Sequence, residues 1–153
     1  MAALTEEQII NGIAKWERSI EGVRNSYDYA RNPDSLTGQT PCVVHIPVSF
    51  ASENRAHHNV WTNAIVMESV LFVSERMNKA GTLKYLENDA LKFGYLWRHK
   101  FQTESVISDL FTSTSNTVRV FLRAGEYGAG GTTLSHNGIQ YIGWVFRWEF
   151  KEN

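Results

Sequence analysis

Cysteine is almost missing from this chain of 153 residues, since Cys42 is the only one. A single cysteine cannot form an internal disulfide or build a cysteine-based zinc site, so we expect a reducing compartment. An excess of one charge is missing too: 15 Lys and Arg face 16 Asp and Glu, and no global field attracts nucleic acid or anionic lipid. The sequence also lacks a basic, apolar leader and any apolar run of roughly 20 residues, so we expect neither secretion nor membrane insertion.

Apolar residues are present in the amount that a core requires. They make up 42% of the sequence, against 20% charged residues. A chain of this length buries roughly 70% of the surface that it exposes when unfolded, so it can hold a core without disulfides or metal. We therefore expect a single domain over residues 1–153.

The first half of the chain begins with a helical pattern and then changes to strands and loops. Thr5 and Gln8 form a capping-box pattern, and the apolar residues that follow at helical spacing predict a helix over 5–21. Glu17 and Glu21 lie four residues apart on this helix, and like charges at that spacing predict a solvated surface. A short strand, a polar loop, a strand and a second polar loop are then predicted over residues 23–29, 31–40, 41–50 and 51–58.

Strand alternation is clear between residues 41 and 50. Apolar residues at every second position predict one buried face, and they are Val44, Ile46, Val48 and Phe50. Pro47 places this strand at a sheet edge or a bulge, because proline has no N–H to donate to a neighbouring strand.

The second half carries the longest predicted strand and a terminal hairpin. A long strand, a helix, a short helix, a strand and a glycine-rich loop are predicted over residues 60–74, 76–91, 103–111, 118–123 and 125–133. Gly81 suggests that the first of these helices begins only after that residue. Residues 92–101 alternate like a strand, and Gly94 weakens a helix there, so their structure stays open. Asn137-Gly138 predicts a type I′ turn between two strands, the last of which has an aromatic core face.

The order of these elements is helix, strands, helix, strands, without regular βα alternation. This order favours an α+β fold, in which an antiparallel or mixed β-sheet has its helices packed on one face.

Signatures of catalysis and of cofactor or metal binding are weak. Gly125 and Gly130 have the spacing of a phosphate loop, but Gly131 stands where the lysine is required. His57 and His58 are adjacent in a predicted loop and lack the spacing of metal ligands. We therefore predict no enzyme activity, no cofactor and no metal site.

Two charged features allow a structural and a functional interpretation. Glu68 interrupts the apolar face of the long strand, and we expect it to form a structural ion pair with Arg119, Arg123 or Arg147. Basic and aromatic residues interleave over 92–101, as they do in proteins that bind single-stranded nucleic acid. About half of these rings are expected in the core, so nucleic-acid binding is kept as an alternative.

Four segments together form a distinctive pattern, in addition to the glycine-rich loop. They are the end of the first helix at 20–23, the strand at 41–46, the long strand at 61–73 and the terminal hairpin at 138–150. In this order they resemble the tail terminator family of long-tailed bacteriophages, whose members are also described as tail completion or minor tail proteins. The resemblance is one of pattern and spans nearly the full chain.

This resemblance implies a structural protein that forms a hexameric ring on the last ring of the tail tube, stops tail growth and receives the head. The implied partners are its own copies, the tail tube protein and a head–tail connector protein, with DNA only passing through the ring and no membrane. The implied location is the tail–neck junction of the virion, after assembly in the host cytoplasm. Another neck protein on the portal side, or a small nucleic-acid-binding module, remains an alternative.

A ring requires two different contact patches on each copy, and one strand face that mixes apolar and charged residues is the candidate for contact with a neighbouring copy. The predicted loops are the candidates for contact with the tail tube or the connector, where charged residues set the register. The candidates in predicted loops are Arg31, Asp34, Glu53, Arg55 and Glu126. The candidates on one strand face, which also carries Glu68, Phe121, Val145 and Glu149, are Arg119, Arg123, Tyr141 and Arg147. We expect Arg55→Glu to disturb docking and leave the fold intact; normal joining of heads to tails by that variant would count against this expectation.

Overall fold

A mixed sheet with two helices against one of its faces forms the centre of the molecule. The computed structural model describes residues 5–28, 33–55, 60–76, 82–103, 118–128 and 134–152. The helices and strands in chain order are α1 (Glu6–Glu17), β1 (Asn25–Ser26), β2 (Cys42–Arg55), β3 (Val60–Glu75), α2 (Thr82–Thr103), β4 (Val118–Gly128), β5 (Leu134–His136) and β6 (Ile139–Glu152). The predicted α+β class, with helices on one face of the sheet, is confirmed.

The strands lie in the order β1-β2-β3-β6-β4, and β5 pairs with the start of β6. The β1–β2 pair is parallel, and every other described pair is antiparallel. The predicted turn between β5 and β6 is confirmed, because Asn137 and Gly138 have φ angles of 51° and 82°. Both residues therefore adopt the left-handed conformation that this turn requires.

Helix α1 begins where its capping box predicts. The Thr5 hydroxyl accepts a hydrogen bond from the Gln8 backbone N–H at 3.2 Å, and the Gln8 side chain accepts one from the Thr5 N–H at 3.0 Å. The helix ends at Glu17, four residues before the predicted end. Its buried apolar residues, among them Ile9, Ile13 and Trp16, pack on the sheet.

Helix α2 starts at Thr82, as the position of Gly81 in the sequence suggests, but it differs from the prediction at its other end, because it continues through 92–101 to Thr103. Ala90, Phe93 and Trp97 are buried at spacings of three and four residues, which is the period of a helix. Aromatic residues at every second position gave the strand-like alternation, yet only those on the helical stripe face the core. Neither described helix is long and apolar enough to cross a membrane.

Strands β2 and β4 extend into segments predicted as loops. Residues 51–55 continue the ladder between β2 and β3, and residues 125–128 continue the ladder between β4 and β6. The polar residues and glycines of these two segments lie in strands because β3 and β6 are long enough to pair with them. The remaining parts of the two predicted loops and of the short helix lie outside the described residues, at 56–58, 129–133 and 104–111.

The sheet has a main core on its helix-covered face and a small second core on its other face. The main core holds the aromatic face of β6, and the predicted members Ile142, Phe146, Trp148 and Phe150 are all buried there. The second core lies under residues 33–41, where Leu36 packs with Cys42, Val44, Val70, Phe72 and Tyr141.

The predicted buried face of β2 is largely wrong. Val44 is buried, but Ile46, Val48 and Phe50 are exposed, whereas the side chain of His45 is buried against α1. The register of β2 on β3 shifts between Pro47 and Ser49, as expected for a proline at a bulge. Beyond the second core, apolar side chains of this edge strand therefore face solvent.

Candidate functional site

The part of the sheet beyond the second core presents a mixed apolar and charged surface opposite the helices. Cross-strand pairing places Ile46 beside Glu68 and Glu68 beside Arg147, and it places Phe121 beside Glu149. We call this surface the open face; its members are Ile46, Glu68, Arg119, Phe121, Arg123, Glu126, Val145, Arg147, Glu149 and Lys151. It combines an apolar patch with both signs of charge, as contact surfaces between proteins do.

Glu149 is the electrostatic centre of the open face. Arg123 donates two hydrogen bonds to the Glu149 carboxylate, from Nε at 3.2 Å and from Nη2 at 3.4 Å. Lys151 Nζ lies 3.4 Å from Oε1 of the same carboxylate. The hydrogen bond from Arg123 is the main cause that lowers the pKa of Glu149 below its usual 4.5. The guanidinium of Arg123 also lies 4.3 Å from the ring centroid of Phe121.

Glu68 does not form the ion pair expected for it within the described residues. Its backbone pairs with that of Arg147, but the two side chains make no salt bridge, and Arg123 binds Glu149 instead. Arg119 and Arg147 are exposed on the same face. The open face therefore carries cations that are available to a partner molecule.

The strand-face candidates lie on one side of the sheet, but one of them is buried inside the molecule. Tyr141 is 1% exposed and packs against Phe72 with ring centroids 5.1 Å apart. Burial raises the pKa of the Tyr141 phenol, and a nearby charge at Glu75 adds to this effect. Tyr141 belongs to the second core, and its side chain is not available for contact with another copy.

The loop candidates are separated by the structure. Asp34 lies in the irregular segment 33–41, where its carbonyl oxygen accepts a hydrogen bond from Asn137 Nδ2 at 2.9 Å. Glu53 and Glu126 are exposed, but they lie in strands β2 and β4 and not in loops. The backbone of Arg55 ends β2, while its side chain and the whole of Arg31 lie outside the described part of the chain.

A cleft between α2 and strands β4 and β6 was not predicted from the sequence; we call it the α2–β4 cleft. Its volume is about 490 Å³, and its walls include Tyr95, Phe101, Leu122 and Trp144. Arg98 of α2 also lines it, and Tyr95 is 55% exposed at its rim. The sequence signal for this cleft lies in the interleaved aromatic residues of 92–101, whose helical conformation only the fold reveals.

Residues 92–101 also suggest nucleic-acid binding in the sequence, but some of their rings lie in the core and others at the surface. Phe93 and Trp97 are fully buried. The exposed ring of Tyr95 already stacks on His99, with ring centroids 5.1 Å apart. Lys92 forms an ion pair with Asp89, at 3.2 Å. The rings of Phe93 and Trp97 are therefore not available to stack on bases, whereas Tyr95 and Arg98 of the same segment are exposed.

A buried polar group joins α1, β1, β2 and α2, and sequence reasoning missed it. Oε1 of Glu17 lies 2.6 Å from Nε2 of His45, and Oε2 accepts a hydrogen bond from Trp97 Nε1 at 3.1 Å. Ser26 Oγ donates to Oε1 at 3.2 Å. Glu17 is fully buried, so the predicted solvated position is wrong. Glu17 lies between Ile13 and Ile20 on one helical stripe, and this spacing was the available signal.

Glu17, His45 and Ser26 are the residue types of a catalytic triad, but their arrangement differs. In a triad the serine and the acid lie at opposite nitrogens of the histidine ring. Here both lie at Nε2, and Nδ1 donates a hydrogen bond to the carbonyl oxygen of Tyr27 at 2.9 Å. Ser26 is also fully buried. This group holds the first helix against the sheet and presents no nucleophile to a substrate.

No group of three His, Cys, Asp or Glu side chains that could hold a metal ion occurs in the described ranges, and His57 and His58 lie outside them.

The chain matches no protein-family model, and no curated protein matches it.

Proposed function

We propose that this chain is a structural protein of a long-tailed bacteriophage, which forms a ring of six copies on the end of the tail tube. The ring ends tail elongation and joins the tail to the head. Its partners are the tail tube protein and a head–tail connector protein, and DNA passes through its centre. This role depends on shape and surface contacts and requires no catalytic group.

The observation that carries the proposal is a sheet with two unlike edges. One edge strand, β2, presents exposed apolar side chains, and the other, β4, borders the cleft under α2. Contact between two different patches is heterologous, and it generates a ring when the rotation between copies closes. The resemblance to tail terminators gives this ring its place in the virion.

The open face supports contacts with the other virion proteins. Arg147 is exposed there, near the ion pair of Arg123 with Glu149 and the ring of Phe121. Charges at the border of an interface set orientation and reject wrong partners, and an apolar centre contributes affinity. Such a surface fits a subunit that must dock in one orientation between two other rings.

Deletion of the gene from the phage that encodes it tests this function. Electron microscopy of the lysate is expected to show tails of abnormal length without heads, and expression of the protein in trans is expected to restore normal particles. Tails of normal length joined to heads in the deletion strain would contradict the proposal. Location of the protein on the portal side of the neck would favour the neck-protein alternative.

A further inference from the structure

The two edges of the sheet offer backbone groups to a further strand. Strand β1 pairs with β2 only at Cys42 and Val43. From Ile46 to Glu53 the outer edge of β2 has no strand partner in the described residues, and the outer edge of β4 has none there either. Unpaired strand edges of this length are templates for pairing with another chain.

The directions of the strands allow one edge to pair with the other edge of a second copy. Strands β2, β3, β6 and β4 alternate in direction, so β2 and β4 are antiparallel to each other. A copy related by rotation about an axis along the strands keeps the direction of its own β2. Its β2 therefore meets β4 of the neighbouring copy in antiparallel orientation, and the alternation continues across the joint.

The side chains of the two edges complement each other on the helix-covered side. Phe50 lies on this side, in one cross-sheet row with Ile65, Phe150 and Val120, and it is 73% exposed. When the rows continue into the next copy, Phe50 comes to lie beside Val120 of that copy. Leu122, two residues further on, lines the α2–β4 cleft, so an exposed aromatic ring meets an aromatic cleft.

The charges on the open face of the two edges also match. Ala51 lies in the same cross-sheet row as Lys151 and Arg119. Glu53 lies two residues along β2 from Ala51, on the same face, so it is diagonal to Arg119 of the neighbouring copy. Opposite charges in diagonal cross-strand positions attract, and long side chains bridge that distance.

We propose that copies of this chain join edge to edge, with β2 of one copy pairing antiparallel with β4 of the next and Phe50 entering the α2–β4 cleft. This joint rests on the proposed function in that it is the contact from which the ring is built. The occupant of the cleft is thus a second copy of the chain. Because the two surfaces differ, association proceeds beyond a dimer.

Cross-linking between two cysteine variants of the purified protein tests the pairing. Cys42 does not interfere, because it is buried and its thiol pKa is raised to about 12. A mixture of Ala51→Cys and Arg119→Cys, treated with a short bismaleimide, is expected to give a cross-linked dimer. Ala51→Cys alone is expected to give none, because four strand spacings of roughly 4.8 Å separate these positions in neighbouring copies.

Sedimentation of single variants tests the role of Phe50. The unmodified protein is expected to sediment as an assembly larger than a dimer, and Phe50→Ser as a monomer at the same concentration. Ile139→Ser is the matched control, since Ile139 is an exposed apolar residue at the β5–β6 turn. It is expected to assemble normally. Circular dichroism verifies that the variants are folded.

Three results would overturn the joint: efficient cross-linking of Ala51→Cys with itself, normal assembly of Phe50→Ser, or a monomeric unmodified protein at every concentration. These results are independent of the gene-deletion experiment. If the deletion strain makes abnormal tails but the β2–β4 contact is absent, the proposed function stands and the proposed joint is wrong. If the contact is found but the deletion strain makes normal tails, the joint stands and the function is wrong.

Discussion

At the scale of single residues, Glu17 is the polar centre of the layer between α1 and the sheet. Its carboxylate receives His45, Trp97 and Ser26 at distances between 2.6 and 3.2 Å. Because a buried charge without partners is very unfavourable, each of these residues depends on the others. The cluster therefore fixes how α1 and α2 lie on the sheet.

Replacement of Glu17 by alanine is expected to lower the free energy of unfolding by about 3–5 kcal/mol, because His45 and Trp97 then lose their buried acceptor. Urea unfolding followed by tryptophan fluorescence measures this change. Glu21→Ala is the control, because Glu21 is exposed, and it is expected to change stability by less than about 0.5 kcal/mol. Similar values for the two variants would contradict the structural role of Glu17.

The acid titration of Glu149 is expected to depend on Arg123. The pKa of Glu149 is lower in the folded protein than its usual 4.5. As the pH falls, the Glu149 carboxylate therefore takes up a proton at a higher pH in the unfolded chain than in the folded protein. The pair therefore stabilises the fold above the usual pKa, and this contribution is lost as the pH falls through the folded pKa. NMR titration of the carboxyl carbon is expected to give a higher pKa in Arg123→Gln; an unchanged pKa would contradict the assignment.

At the scale of elements, α2 shows why residues 92–101 were ambiguous. Gly94 weakens a helix in isolation, but here it allows close packing. A Cβ atom at this position would lie 2.5 Å from the ring of Trp144. That ring stacks on Phe146 and donates a hydrogen bond to the carbonyl oxygen of Ala90 at 2.9 Å. The glycine that argues against a helix in the sequence is thus required by the helix–sheet contact.

Gly94→Ala is expected to lower the free energy of unfolding by on the order of 1 kcal/mol. Overpacking costs about 1–3 kcal/mol, and the helix preference of alanine offsets about 1 kcal/mol of it. In a Trp144→Phe background the smaller ring removes the clash, so the same substitution is expected to be neutral or stabilising. Chemical denaturation of the four proteins in this cycle measures the coupling. Equal effects of Gly94→Ala in both backgrounds would reject the packing explanation.

At the scale of the whole molecule, the sheet divides the chain into a helix-covered side and an open face. The helix-covered side contains the main core, whereas the open face carries Arg119 and Arg147 in exposed positions. The proposed ring uses the edges, and with them Arg119, for contacts between copies, which leaves Arg147 and the middle of the open face for other virion components or for the channel.

Arg147→Glu is expected to reduce the joining of heads to tails about tenfold or more, because like charges across an interface cost several kcal/mol. The fraction of tails that carry heads, counted by electron microscopy after complementation of the deletion strain, measures this effect. Lys15→Glu, which reverses an exposed charge on α1, is the control and is expected to complement normally. Normal joining by Arg147→Glu would exclude this part of the open face from docking.

The local features of this protein can be read from its sequence. The capping box at Thr5, the Asn137-Gly138 turn, the long β3 strand and the buried face of β6 were all predicted, because each depends on neighbours along the chain. The α+β class followed from the order of these elements. The strand-face candidates were likewise placed on one side of the sheet by simple alternation.

Which of these surfaces are covered depends on how the elements pack in the folded chain. The tertiary structure buried Glu17 and His45, exposed Phe50, and extended β2 and β4 into segments whose composition is typical of loops. Burial depends on elements that are distant in sequence, and a strand continues wherever a neighbour offers hydrogen bonds. For the same reason the α2–β4 cleft and the two sheet edges became visible only when the chain was folded.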